Sequence, residues 1–178
     1  MPDDVDRGLL ERFVQGDEAA FESLFRQFER EVYGWVLRIT RDTAAAEDAM
    51  VEAFWRAYRS RARFDPSRSF GAWIRRIATN AALDQLRTAR NQGPGAAADY
   101  EGTAMTGAAP HELRDSIRVA FGKLPPRLAA VAALALIEDR PYAEIAEALD
   151  VPIGTVKSRV FRATRLLREE LAKLGVTS

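Results

Sequence analysis

Cysteine is absent from the 178 residues, and histidine occurs once, at His111. The chain therefore carries no disulfide framework and no thiolate metal site, and one imidazole cannot build a zinc site. It contains no GxxxxGK[ST] phosphate loop and no Ser/His/Asp set. Nothing in it calls for a cofactor, a metal, a small-molecule substrate or catalysis. The longest apolar run, Leu128 to Ile137, is ten residues, against about 20 needed to span a bilayer. Met1 to Asp6 is acidic rather than basic, and no apolar h-region follows. The expectation is a cytoplasmic protein without direct membrane insertion. Strand alternation is missing as well; almost everything periodic has a helical period, so the fold class is all-α.

What is present is a partition of charge. The formal net charge is zero, but residues 1–53 hold 13 acids and 6 arginines, a net of −7. Residues 54–92 hold 9 arginines and 2 acids, a net of +7. Residues 113–178 hold 11 basic and 8 acidic groups, a net of +3. Solvated helix faces account for single charges. A partition this clean suggests two classes of partner, one for the acidic surface and a polyanion for the basic ones.

Leu9, Leu10, Phe13 and Val14 line a short first helix that stops at Gly16. Asp17 caps a second, whose stripe runs Phe21, Leu24, Phe25, Phe28, Val32, Trp35, Val36, Ile39. Asp42 or Thr43 caps a third helix to about Ser60, with Ala49, Ala53 and Tyr58 spaced for packing. A basic loop with Pro66 follows, and Ser69 caps a fourth helix through about Arg90, carrying Phe70, Trp73, Ile74, Ile77 and Ala81. Residues 92–112 are rich in Gly, Ala, Pro and Thr with no apolar period, and read as a flexible linker. The division is thus 1–91, a linker at 92–112, and a second helical domain at 113–178. That domain has a Leu124-Pro125-Pro126 break, then helices near 127–137, 142–149 and 153–172.

The last two helices form a helix-turn-helix. Tyr142 to Leu149 turns Ile145, Ala146 and Leu149 inward, Asp150-Val151-Pro152 makes the turn, and Pro152 suits a helix start. Val156, Val160, Ala163 and Leu167 fall at i, i+4, i+7, i+11 and pack on the partner helix. Thr155, Ser158, Arg159, Arg162 and Arg165 lie around the other side, flanked by Lys157 and Phe161. Hydroxyls near the helix start, then arginine, suit base-edge readout in the major groove. N–H groups around Gly154 and Thr155 can hold a phosphate. An ordinary helical hairpin with a basic outer face leaves one fact unexplained: Ile153 to Arg168 holds five basic residues and no acid, whereas Glu138 to Asp150 holds five acids and one arginine.

Three segments in order resemble the extracytoplasmic-function (ECF, group IV) sigma factors of bacterial RNA polymerase, in the sigma-70 family. Glu47-Asp48-Ala-Met-Val-Glu52-Ala-Phe54-Trp-Arg-Ala-Tyr58 looks like the helix that docks on the polymerase β′ clamp. Phe70-Gly-Ala-Trp73 through Asn80 to Asp84-Gln-Leu-Arg87 looks like the promoter-melting segment. Leu124-Pro-Pro-Arg127, Tyr142-Ala-Glu-Ile-Ala146 and Pro152-Ile-Gly-Thr-Val-Lys-Ser-Arg159 look like the domain that reads the −35 element. The likeness covers both domains. It implies a sigma-2-like helical bundle and a sigma-4-like helix-turn-helix domain. It also implies as partners core RNA polymerase (β′ clamp and β flap), promoter DNA and an anti-sigma factor.

The resemblance assigns polymerase binding to Asp48, Glu52 and Phe54. The first two stand at i, i+4, ready for basic partners, and Phe54 reads equally as core. The family usually has Gln where this chain has Val51, so one polar contact is missing or replaced. For −10 DNA the candidates are Arg76, Asn80 and Arg87, expected with Leu83 on the helix face away from Trp73 and Ile77. Arg75 and Phe64 join them, the latter on the rim of a base pocket in the loop Arg61 to Arg68. Asn80 can hydrogen-bond a base that has left the stack. Trp73 reads as core. For −35 bases the candidates are Lys157, Ser158, Phe161 and Arg162; Thr155, Arg159 and Arg165 hold the backbone. Asp150 replaces a common Gly in the turn and tolerates the left-handed conformation. The implied function is a sigma factor that reads −35 duplex and captures melted −10 DNA. The alternative is a stand-alone helix-turn-helix repressor or activator.

Overall fold

The computed structural model describes residues 5–91 and 111–176. The expected linker falls almost wholly outside the described residues. The chain divides into two compact units, Met1–Gln85 and Leu86–Ser178. Among the described residues there is no strand; all regular structure is helical.

The first unit is built from α1 (Arg7–Gln15), α2 (Glu18–Thr40), α3 (Thr43–Ser60) and α4 (Phe70–Asn91), whose last residues run past the division. Short polar side chains set the starts of all four. Asp6 accepts from the Leu9 N–H at 3.1 Å. Asp17 accepts from Ala19 and Ala20, and Asp42 from Ala45 at 2.7 Å. The Ser69 Oγ accepts from Ala72 at 3.2 Å. Each satisfies a donor the helix itself leaves orphaned. Gly16 ends α1 at φ +91°, a conformation that costs glycine nothing. A Cβ there would also press within 3.0 Å of the Arg61 guanidinium.

Phe13 sits at the centre of this core, fully buried, with Phe21, Phe64, Phe70 and Trp73 around it at centroid separations of 5.5–6.5 Å. Ala46, Ala49, Ala53 and Ala57 form a fully buried seam on α3 that lets α2 approach closely. A turn of 3₁₀ helix, Arg61–Arg63, follows α3.

The second unit comprises α5 (His111–Lys123), α6 (Pro126–Ala132), α7 (Tyr142–Leu149) and α8 (Ile153–Lys173). α5 begins two residues inside the expected linker. Ala120, Leu124, Leu128, Ala132, Ala163 and Leu167 form one core cluster across α5, α6 and α8. Pro126 takes the first turn of α6, where its missing N–H costs nothing. α6 widens into a π turn, Ala133–Ile137, before α7. Asp150 closes α7 in the left-handed region, φ +53° and ψ +50°. The Val151 N–H then returns to the Ala146 carbonyl at 3.0 Å, a closure that satisfies a carbonyl of the last turn.

Candidate nucleic-acid interface

α8 has two sharply different sides. Val156, Val160, Ala163 and Leu167 are buried, as the spacing predicts. Lys157, Ser158, Phe161, Arg162 and Arg165 are exposed, and Thr155 and Arg159 are half-buried. Phe161 leaves 74% of its surface in water, with Lys157 and Arg162 among its neighbours on the helix. Neither Lys157 nor Arg162 has an intramolecular partner among the described residues. Arg165 reaches Glu169 at 3.6 Å, an exposed i, i+4 pair that gives way easily.

Arg159 is partly desolvated and stands near Arg127 of α6. Burial first, and that second cation next, push its pKa down. It stays charged, since arginine titrates far above neutral, so two like charges sit together with no counterion among the described residues. A backbone phosphate relieves that repulsion. The Ser158 hydroxyl donates to the Thr155 carbonyl at 3.0 Å, which leaves its lone pairs to accept. The Thr155 N–H is spent on the Pro152 carbonyl at 2.8 Å. It is not the open phosphate donor the sequence suggests.

α4 corrects the sequence reading more heavily. Asn80 and Arg87 are exposed and Arg76 is half-buried. Asn80 has no side-chain partner among the described residues. Leu83, expected on this face, is buried at 4% exposure, and the half-exposed Asp84 continues the stripe from Asn80. Phe64 and Arg75, both assigned to −10 DNA, are buried at 5% and 8%. Phe64 packs on Phe70 and Trp73 at 5.6 and 4.8 Å, so its ring is core and not the rim of a base pocket. Arg75 turns inward because Glu31 takes its guanidinium at 2.9 Å and the Trp35 ring covers it at 5.0 Å. Neither the period of α4 nor the charge of Arg75 reveals that acceptor on α2.

On α3, Asp48 is exposed, but Glu52 is engaged by Arg56 at 2.7 Å and Arg59 at 3.8 Å. Arg56 also bridges to Asp84 at 2.8 Å, and its pKa is raised, first by the Glu52 hydrogen bond and then by Asp84. Phe54, 2% exposed, packs on Phe25 and Phe21 and is core. The exposed large apolar residues of this helix are Val51, at 59%, and Trp55, at 51%. Residues 48, 51 and 55 stand at i, i+3, i+7, a spacing that could have found them. A shallow depression of about 380 Å³ lies at the end of α3, lined by Arg56, Arg59, Ser60, Ala62 and Arg63.

Residues 24–92 match the family model for Sigma-70 region 2, and residues 114–167 match the model for Sigma-70, region 4. The ECF RNA polymerase sigma factor SigW of Bacillus subtilis is 31% identical over 179 residues, covering 93% of this chain and 96% of that one. The chain belongs to the ECF sigma factors of the sigma-70 family. This sigma factor directs promoter-specific transcription initiation and works with core RNA polymerase. As a class, sigma factors are non-enzymatic regulators. The RNA polymerase sigma factor CarQ of Myxococcus xanthus is 35% identical, covering 93% of this chain and 97% of that one. Among solved structures, CnrH in complex with the cytosolic domain of CnrY superposes with a TM-score of 0.59 at 24% identity, over 96% of this chain and 99% of that one. RpoE of Bartonella quintana, in complex with the anti-sigma factor NepR, gives 0.54 at 21% identity, over 85% and 96%. Both share the sigma factor's fold.

Proposed function

We propose that the two domains divide promoter recognition between them, residues 1–91 taking polymerase and melted −10 DNA and residues 113–178 taking −35 duplex, joined through 92–112. The observation that carries this is the outer face of α8. Lys157, Arg162 and a ring as exposed as Phe161 stand there without partners among the described residues. Lys157, Ser158, Phe161 and Arg162 read base edges in the major groove. Thr155, Arg159 and Arg165 hold the phosphates. On α4, Asn80 takes the edge of an unstacked base, with Arg76 and Arg87 drawing the backbone. Separating base pairs costs about 1.4 kcal/mol per step, which binding of the freed strand offsets.

Polymerase docks on the exposed side of α3, where Asp48 supplies charge and Val51 and Trp55 supply apolar area. Glu52 joins after exchanging its arginines for those of the partner. An anti-sigma factor is a further partner, as with the relatives solved in complex with one. The protein acts in the cytoplasm, where promoter DNA is, and not as an enzyme. The test is run-off transcription with purified core polymerase on the promoter upstream of its own gene. A promoter-dependent transcript that needs both the −35 and −10 segments supports the division. Transcription indifferent to replacement of the −35 segment would sink it.

A further inference from the structure

α4 is held by a chain of polar contacts that the aromatic core does not require. The Trp35 indole Nε1–H donates to the Thr79 Oγ1 at 2.9 Å, in the buried interior. The Thr79 hydroxyl in turn donates to the Arg75 carbonyl at 2.8 Å. The Arg75 guanidinium lies 5.0 Å from the centroid of the Trp35 ring and donates to Glu31 Oε1 at 2.9 Å. One tryptophan of α2 is therefore gripped at its edge by Thr79 and on its face by Arg75. Thr79 has no exposed surface, and Arg75 keeps only 8%.

The inward side of α4 explains what such a grip is for. Besides Phe70, Ile74 and Leu83, its buried apolar residues are Gly71, Ala78, Ala81 and Ala82. Small side chains interlock less deeply than the Phe70 cluster at the helix start, so packing alone fixes the rotation of α4 least sharply around Thr79. Directional hydrogen bonds fix that rotation, because a shifted helix leaves the indole N–H and the guanidinium buried without acceptors. Asn80 directly follows Thr79 and sits about 100° further round the helix. It is exposed and has no side-chain partner among the described residues to fix it. Its position is set only by the rotation of the helix that carries it.

We infer that Thr79 is a positioning residue for base selection: with Trp35, Arg75 and Glu31 it locks the rotation of α4 and so aims Asn80 at the unstacked base. Thr79 touches no DNA itself. The inference rests on the reading of Asn80 given above. Such a lock trades some stability for specificity, a use attested for buried polar groups elsewhere.

The experiment uses holoenzyme assembled from core polymerase and the full chain. The probes are four fluorescent single-stranded oligonucleotides carrying the −10 segment mapped by run-off transcription. They differ only in the base at one position, the one where Asn80→Ala abolishes discrimination. Thr79→Val keeps the volume and removes the hydroxyl. It is expected to lower the ratio of cognate to non-cognate affinity about two- to tenfold, the range one buried hydrogen bond supports. Thr79→Ser restores the ratio, and Thr79→Val in the Asn80→Ala background changes it no further. Trp35→Phe, which removes the donor, repeats the loss should Thr79→Val fold poorly. A merely structural role would lower the melting temperature, or weaken all four probes equally, with the ratio unchanged; either result overturns the inference. Should Asn80→Ala leave discrimination intact at every position, the reading of Asn80 fails and takes the inference with it. An intact Asn80 effect with an unmoved Thr79→Val ratio refutes the inference alone.

Discussion

The two helices proposed to face DNA are built in opposite ways. α8 is amphipathic in the plainest sense: four apolar residues go in, and Lys157, Phe161 and Arg162 go out without partners among the described residues. α4 turns part of its polar chemistry inward, with Arg75 and Thr79 both buried, and presents Asn80 and Arg87 as its exposed candidates. Under the proposed division of promoter recognition, the difference follows from the tasks. A helix that enters the groove of an intact duplex meets a rigid partner and can rely on many outward contacts. A helix that must select a base already out of the stack meets a flexible strand, so the protein has to supply the rigidity.

The largest expected effect tests whether that rigidity belongs to the first unit alone. Phe13 is fully buried at the hub of the aromatic cluster. Phe13→Ala should cost about 3–5 kcal/mol, as large-to-small changes at packed aromatic positions do. Trp35, Trp55 and Trp73 are the chain's three tryptophans, and all lie in the first unit. Denaturant unfolding followed by tryptophan fluorescence therefore reports on that unit. The midpoint should fall sharply while −35 duplex binding, measured below the transition, stays within twofold. Loss of both together would mean that α8 depends on the aromatic core.

Next in size is the contrast within α8. Arg162→Ala should cost about 1–3 kcal/mol of promoter affinity and relax preference at one −35 position. Arg159→Ala should weaken binding evenly across sequences and reduce the salt slope by about 1. Anisotropy titrations on base-substituted duplexes at several salt concentrations separate the two. Exchanged behaviours would mean that Arg159, despite its half-burial beside Arg127, reads a base.

The same inside–outside logic applies to α3. Trp55→Ala should weaken core polymerase binding by about 2 kcal/mol, the scale of an interface anchor, with an unchanged unfolding midpoint. Phe54→Ala should instead lower the midpoint. A Trp55→Ala chain that binds polymerase with undiminished affinity would move the docking surface off α3.

These contrasts show what was legible in the sequence and what was not. The α8 stripe was readable because one period governs a helix with one buried side, and Asp150 was correctly expected to turn left-handed. The caps were readable because Asp and Ser act within three residues of themselves. Phe64, Arg75 and Leu83 were misplaced for a different reason. Each is decided by something distant in sequence: the aromatic hub at Phe13, the carboxylate of Glu31, and the burial of α4 on more than one flank. A charged residue in a basic stretch looks like a DNA contact until its acceptor on a neighbouring helix is known. Val51 and Trp55 lie within reach of the helical period, on the same side of α3 as Asp48.

The turn of the second unit offers a smaller effect. Asp150 holds φ +53°, and a β-branched side chain there pays about 1–2 kcal/mol for the left-handed conformation. Asp150→Val should lose that much stability and some −35 affinity, whereas Asp150→Gly should be neutral or slightly stabilising. Circular dichroism melts decide it; a neutral valine variant would mean that the turn relaxes out of the left-handed region.

The smallest effect lies in the loop before α4, the first unit's counterpart of that turn. Asp65 accepts from the Ser67 hydroxyl at 2.7 Å and from its N–H at 2.9 Å. The hydroxyl first, then the N–H, hold the carboxyl below its ordinary value. A carboxylate with a depressed folded pKa stabilises the fold above its unfolded pKa, about 3.9, and loses that contribution as pH falls through the folded value. Ser67→Ala removes the leading cause, so the Asp65 titration followed by NMR should move up toward the ordinary value. Because the group is fully exposed, the midpoint of unfolding at neutral pH should barely change. The loop is then ordered by its own hydrogen bonds rather than by burial, unlike the buried grip on α4 that follows it. An unmoved Asp65 titration in Ser67→Ala would show that the hydroxyl does not set the carboxyl, leaving the residue-67 N–H and the nearby arginines to hold it.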